Sequence, residues 1–249
     1  MPRVGPNVHF CQVSFLIVPG VPAIKPGDDL AGIVLKTFPD FQDGDVLVIA
    51  QKIVSKAEGR LVRLSDITPS EAAVALAANT GRDPRYCQLV LDESTRIVEV
   101  KGKVIVVEHK TGTICTSAGI DKSNLEDADT LLLLPINSDK SAEGIRVLIE
   151  SKTGKRIAVI VNDSGGSPYR QGAIGEAIGF SGIKALYESK TKDLFGNPCA
   201  PSVNVVDQLS ATASLLMGEA GEGTPVIVIR GVSFQRDENA KLRDILISA

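Results

Sequence analysis

The stretch RIAVIVNDSGGSPYRQG, residues 156–172, decides how the rest of the chain is read. Ile157, Ala158, Val159, Ile160 and Val161 form a short, largely β-branched apolar run, the pattern of a buried strand. The run ends in Asn162, Asp163, Ser164, Gly165 and Gly166, so a carboxylate and a hydroxyl arrive on a glycine loop where a ligand can approach backbone closely. Tyr169 and Arg170 follow, and then a second glycine-rich run, GAIGEAIGFSG, over 172–182. Such a strand end suits a metal-bound phosphate; a plain polar turn is the competing reading.

Working outward, 141–153 reads as an amphipathic helix stopped by Gly154, and 131–135 as a buried strand before it. A helix between two apolar strands suggests a βαβ unit. Towards the N-terminus, 9–18 reads as a first strand. Asp29 caps a helix over 30–37, and 45–50 is a strand entered through an Asp-Gly turn. Residues 69–80 and 83–93 are helical, the second with Asp83 as cap and Pro84 in its first turn. Paired strands occupy 98–109, turning at 101–103. Towards the C-terminus, 172–189 is open, with a helix possible at its end. A helix spans 205–218, a flexible loop with Glu219 and Glu222 spans 217–223, a β-rich run spans 225–232, and a terminal helix spans 237–248.

Composition narrows the chemistry. The 249 residues are 43% hydrophobic and 23% charged, a globular balance, and the net charge of −3 gives no sign of bulk nucleic-acid binding. No apolar run reaches the roughly 20 residues that span a bilayer, and the N-terminal residues show no secretory h-region, so a cytoplasmic protein without a membrane partner is expected. The four cysteines, Cys11, Cys87, Cys115 and Cys199, are too scattered for a zinc pair and read as buried free thiols. His9 and His109 are the only histidines, which removes most imidazole chemistry. Asp163-Ser164-Gly165-Gly166 resembles the serine loop of trypsin-like proteases, but neither histidine has the setting of a base. No segment fits a phosphate-binding G-x-x-x-x-G-K-[ST] loop, and no G-x-G-x-x-G follows a strand convincingly.

An all-oxygen set survives: Asp121, Asp163, Ser164 and Glu219, each in a glycine-rich loop near the end of an element. Hard oxygen donors select Mg²⁺ or Mn²⁺. Lys52, Lys56 and Arg170 would supply positive charge for a polyphosphate, a solvated helix face being the alternative for the lysines.

Five motifs then align in order: VPAIKPGDDL (21–30), FQDGDVLVIAQKIVSKAEGR (41–60), SAGIDKSN (117–124), NDSGGSPYRQGAIGEAIGFSG (162–182) and LLMGEAGEGTPVIVIRG (215–231). Together they resemble the coenzyme F420-0:γ-glutamyl ligases, the CofE-like family, over about 18–231, in the stand-alone form without a nitroreductase-like extension. The resemblance implies a mixed α/β (α+β) fold of mixed sheets with flanking helices. It implies one domain over 1–249 with two interleaved subdomains, assembled as a homodimer. It implies a GTP-dependent ligase that adds L-glutamate to F420-0 through an acyl phosphate, then further γ-linked glutamates, with two Mg²⁺ or Mn²⁺ per site and K⁺. Carried over by motif, Val21, Pro22, Ala23, Ile24, Gln51, Lys52, Lys56 and Asn124 would bind GTP with Met217, Gly218, Glu219, Ala220, Gly221, Glu222, Gly223 and Thr224. Asp121 and Asp163 would hold one metal, Ser164 and Glu219 the second, with Lys56 and Asp163 catalytic. The chain departs from the family pattern at Ser164, where threonine is usual, and at Ser117, Ser167 and Gln208, where asparagine, arginine and glutamate are expected. These changes raise a second expectation, a CofE-like ligase acting on a different carboxylate or amine, such as a folate-like acceptor. A nucleotide-binding module without turnover is the third.

Overall fold

The structure is a computed structural model that describes residues 12–125, 127–166, 171–188 and 190–247. His9, Cys11, Ser167, Tyr169 and Arg170 lie outside the described residues. In chain order the strands and helices are β1 (Ser14–Ile17), α1 (Leu30–Thr37), β2 (Val46–Ala50), α2 (Gln51–Ala57), β3 (Leu61–Arg63), α3 (Glu71–Thr80), α4 (Pro84–Asp92), β4 (Ser94–Lys101), β5 (Val104–His109) and β6 (Ile114–Thr116). They continue as β7 (Thr130–Leu132), α5 (Ser138–Thr153), β8 (Ala158–Gly166), β9 (Ala173–Ser181), β10 (Leu186–Glu188), β11 (Thr191–Lys192), β12 (Pro198–Cys199), β13 (Ser202–Asn204), α6 (Val205–Met217) and β14 (Val226–Arg230).

A five-stranded sheet ordered β1-β14-β2-β8-β9 forms the centre, mixed as expected: β2 and β8 run parallel and the other neighbours antiparallel. Its strands alternate between two cores, as a pleat with period two requires. Leu47, Ile49, Val159, Val161, Val226 and Val228 face α1, α2 and α5. Val46, Val48, Ala158, Ile160, Ile227 and Ile229 face α6. Both faces being covered explains why these strands read as unbroken apolar runs. Gly175 marks how tightly β9 meets α6: a Cβ there would lie 2.1 Å from Ser214 Oγ and 2.7 Å from the Ser210 carbonyl. A third core, centred on Leu76, Tyr86, Leu89, Ile105, Val107 and Leu131, is built from α3, α4, β4–β6 and β7 within the long connection from β2 to β8.

The helix caps follow the sequence. Asp29, Ser70, Asp83, Asn137 and Asn204 each accept a backbone N–H of the first turn of α1, α3, α4, α5 and α6 respectively. Four expectations are corrected. First, β7 pairs with β3 and not with β8, whose parallel neighbour is β2, so 131–153 is no βαβ unit. Leu131 is drawn instead into the third core. Second, the described residues of 172–189 hold β9 and β10 and no helix. Third, Asp163 to Gly166 continue β8, because β9 supplies a ladder partner to every one of them. Fourth, the described residues of the C-terminal segment make only a short 3₁₀ turn, Leu242–Ile245, in place of the helix expected over 237–248. Cys87 is buried but Cys115 is partly exposed and Cys199 exposed, so the thiols are not uniformly interior. Among the described residues no helix is long and apolar enough to cross a membrane.

Candidate active site

Four loops and strand ends converge where β2 ends and its pairing with β8 stops, Ala50 opposite Asn162. One cavity of about 250 Å³ is lined by Gln51, Lys52, Lys56, Asn124, Asp163, Ser164 and the 217–224 turn among others. A second of about 350 Å³ lies on the other side of the strand end, lined by Cys115, Gly119, Asp121, Ser123, Asp163, Gly165, Glu176 and Ile178 among others. Lys52, Asp163, Ser164 and Glu219 line both and form the wall between them.

Local structure explains how each group gets there. Lys52 and Lys56 are four residues apart on α2 and therefore share a face. Lys52 Nζ pairs with Asp121 Oδ2 at 2.9 Å and donates to Ser123 Oγ. Lys56 Nζ donates to the Asn124 carbonyl at 2.8 Å. Asn124 Nδ2 in turn donates to the Ala220 carbonyl at 2.9 Å, tying the 121–124 loop to the 217–224 turn. Asp121 is delivered by an unusual turn: Ser117, Ala118 and Gly119 all sit in the left-handed region, at φ 51°, 56° and 66°. Left-handed backbone costs an L-residue roughly 1–2 kcal/mol, and such strain persists only where its surroundings fix it. Here Ala118 is fully buried and Gly119 lies against Leu134. On β8, the Ser164 hydroxyl donates to the Glu219 carboxylate at 2.6 Å, and the Ser164 N–H donates to Asp163.

The wall carries surplus negative charge. Burial pushes the Asp163 carboxyl up to about 6, reinforced by the charges of Asp121 and Glu176 and opposed by the Ser164 N–H and Lys52. Burial also raises Asp121, but the Ser123 N–H and Lys52 outweigh it and its carboxyl stays below the ordinary range. Glu176 is raised by burial and by Asp207. Burial, Asp163 and Glu176 push the Cys115 thiol up to about 12.

Among the described residues no group of three or more His, Cys, Asp or Glu is gathered to hold a metal. The oxygen donors come instead in small sets: Asp121 beside Asp163, and Ser164 on Glu219. That suits a hard divalent cation of the Mg²⁺ kind, which takes one or two carboxylates from protein and completes its shell with water and phosphate oxygens.

Most of the nucleotide set expected from sequence lines the first cavity: Gln51, Lys52, Lys56, Asn124, Met217, Gly218, Glu219, Ala220, Gly221, Gly223 and Thr224. Val21, Pro22, Ala23 and Ile24 do not line it; Ile24 is in the core beneath α1. Glu222 folds back to accept the Ala220 N–H at 2.8 Å. Ser117 and Gln208 line neither cavity, and Gln208 is exposed on α6. Sequence reasoning missed Glu176, which the ladder sets opposite Asp163. Only the β8–β9 pairing reveals it, and 172–189 carried no clear strand signal.

A family model for F420-0:gamma-glutamyl ligases matches residues 20–231. The coenzyme F420:L-glutamate ligase of Methanocaldococcus jannaschii is 43% identical over 91% of this chain and 90% of its own. Those of Archaeoglobus fulgidus and Methanothermobacter thermautotrophicus are 43% and 41% identical, over 89% and 88% of this chain and 89% of theirs.

Proposed function

The chain belongs to the F420-0:gamma-glutamyl ligase family, and from that premise we propose that it is a GTP-dependent ligase joining L-glutamate to F420-0 across the wall between its two cavities. The observation that carries this reading is that wall: one lysine, two carboxylates and a hydroxyl shared by two separate cavities. A ligase that activates one substrate with another needs two compartments meeting at a charged seam.

GTP takes the first cavity, held by Lys52, Lys56, Asn124 and the 217–224 turn. The acceptor takes the second. A carboxylate is a poor electrophile, so an acceptor carboxylate oxygen attacks the γ-phosphorus, the bond to the bridging oxygen breaks, and GDP leaves. The glutamate amine then attacks the acyl carbon of the acyl phosphate; the C–O bond to phosphate breaks, inorganic phosphate leaves, and the amine proton goes to solvent. Asp121 with Asp163, and Ser164 with Glu219, are the residues to hold two Mg²⁺ or Mn²⁺ ions. When bound, such ions neutralise phosphate charge and align oxygens for in-line transfer. The chain's own cations do the rest: Lys56 is poised to exchange the Asn124 carbonyl for a phosphate oxygen and stabilise the transferring group. Repetition on the product gives γ-linked glutamates. K⁺ dependence and a homodimer belong to the same reading.

Of the departures behind the folate-like alternative, Ser117 and Gln208 line neither of these two cavities, and Ser167 lies outside the described residues. The test is GDP release with Mn²⁺, GTP, L-glutamate and F420-0. Release that requires both substrates, and falls at least about a hundredfold in Asp163→Ala, is the expected result. GTP binding without release would remove the reading.

A further inference from the structure

A third cavity, of about 250 Å³, lies on the far side of Ile178, the residue it shares with the acceptor cavity. Its lining carries Lys241 and Arg243, with Lys110 (which also lies 3.6 Å from Glu93), Thr111 and the first turn of α5. Three features make it more than a basic surface. It opens on the N-terminus of a sixteen-residue helix, where unpaired amides and the helix dipole favour negative charge. Ser138, in that first turn, lines the cavity and is 3% exposed. Its hydroxyl is buried with no hydrogen-bond partner. The carboxylate in the lining, Asp139, is already engaged, accepting the Phe180 N–H at 3.0 Å and the Leu242 N–H at 3.1 Å. An orphaned buried hydroxyl costs stability unless something pairs with it.

We propose that this cavity is a second anion-binding site, which takes non-reacting carboxylates of the acceptor as its glutamate tail grows. The tail rests on the ligase reading above; the anion site itself does not. Position supports the assignment. Glu176 and Ile178 lie two residues apart on β9, about 7 Å along the strand, and Ile178 lines both cavities, so the cationic cavity is the neighbour of the one in which the acceptor reacts. Each added glutamate leaves one more carboxylate that takes no part in the next transfer, and Lys241 and Arg243 in the third cavity offer it cations.

The test is calorimetric titration of the protein, kept saturated with GDP, using γ-linked triglutamate and, separately, inorganic phosphate. Triglutamate is expected to bind, about tenfold or more weaker in a Lys241→Ala, Arg243→Ala double variant. Ser138→Ala is expected to weaken binding several-fold without lowering the melting temperature, since it removes a hydroxyl with no structural partner. Phosphate binding without triglutamate binding would overturn the tail assignment. Binding of neither, or binding that the double variant leaves intact, would overturn the site. None of these readouts uses turnover, so failure here is separable from failure of the ligase reading.

Discussion

Gly119 carries a tight constraint on the second cavity. Its φ is +66°, and a Cβ there would stand 2.7 Å from Leu134 Cδ1 and Cγ. Gly119→Ala therefore adds both backbone strain and overpacking, and a loss of about 2–3 kcal/mol is expected in urea unfolding. The two left-handed residues before it are worse placed than glycine, and the position where the family pattern expects asparagine, Ser117, is one of them. Asparagine enters that region more readily than serine. Cys115, two residues earlier, gives a second residue-scale prediction. With its thiol pushed up from 9.0 to about 12, the thiolate at pH 8 falls about a thousandfold. Brief alkylation of the native protein at pH 8, read by mass spectrometry, should label the exposed Cys199 and spare Cys115, and denaturant should remove the difference.

At the scale of elements, Glu93 at the end of α4 joins the third core to the segment that follows α2. It accepts from Arg60, whose Nε also donates to the Leu134 carbonyl at 2.8 Å, and it lies near Lys110 and His109. His109, Arg60 and Lys110 hold its carboxyl below the usual range against the effect of burial. A depressed carboxyl stabilises the fold fully above its unfolded value near 4.5 and loses that contribution as pH falls through the folded value. Glu93→Gln should flatten the acid limb of the stability profile, and Glu93→Ala should cost about 2–3 kcal/mol at neutral pH, because Arg60 keeps a half-buried charge. Sequence pattern made most of the elements around this joint legible. The caps Asp29 and Asp83 are local chemistry, and the apolar strands β2, β8 and β14 are runs that read the same in any context. What pattern could not show was pairing. Asp163-Ser164-Gly165-Gly166 has turn composition and becomes strand because β9 lies beside it, while 131–135 has strand composition but packs elsewhere. For the same reason the wall residues could be named from motifs, whereas Glu176 could not.

Across the whole molecule, the site is held by parts that belong to different cores. Lys52 and Lys56 stand on a helix packed on the first core, Met217 belongs to the second, and Ala118, next to the Asp121 loop, belongs to the third. The Asn124–Ala220 hydrogen bond is a direct tie between the third core's loop and the turn after α6. Asn124 has φ 56°, a conformation that glycine adopts freely, so Asn124→Gly removes the tie while leaving the backbone, and the carbonyl that Lys56 grips, in place. One neutral hydrogen bond is worth about 0.5–1.5 kcal/mol. On the proposed GTP-dependent reading the tie keeps the 217–224 turn ordered for nucleotide, and that energy is lost from binding and not from the chemical step. The KM for GTP should then rise about three- to tenfold with kcat and melting temperature nearly unchanged. A fall in kcat at constant KM would mean that the loop positions reacting groups instead, and would move Asn124 from holding the nucleotide to aligning Asp121 with the transferring phosphate.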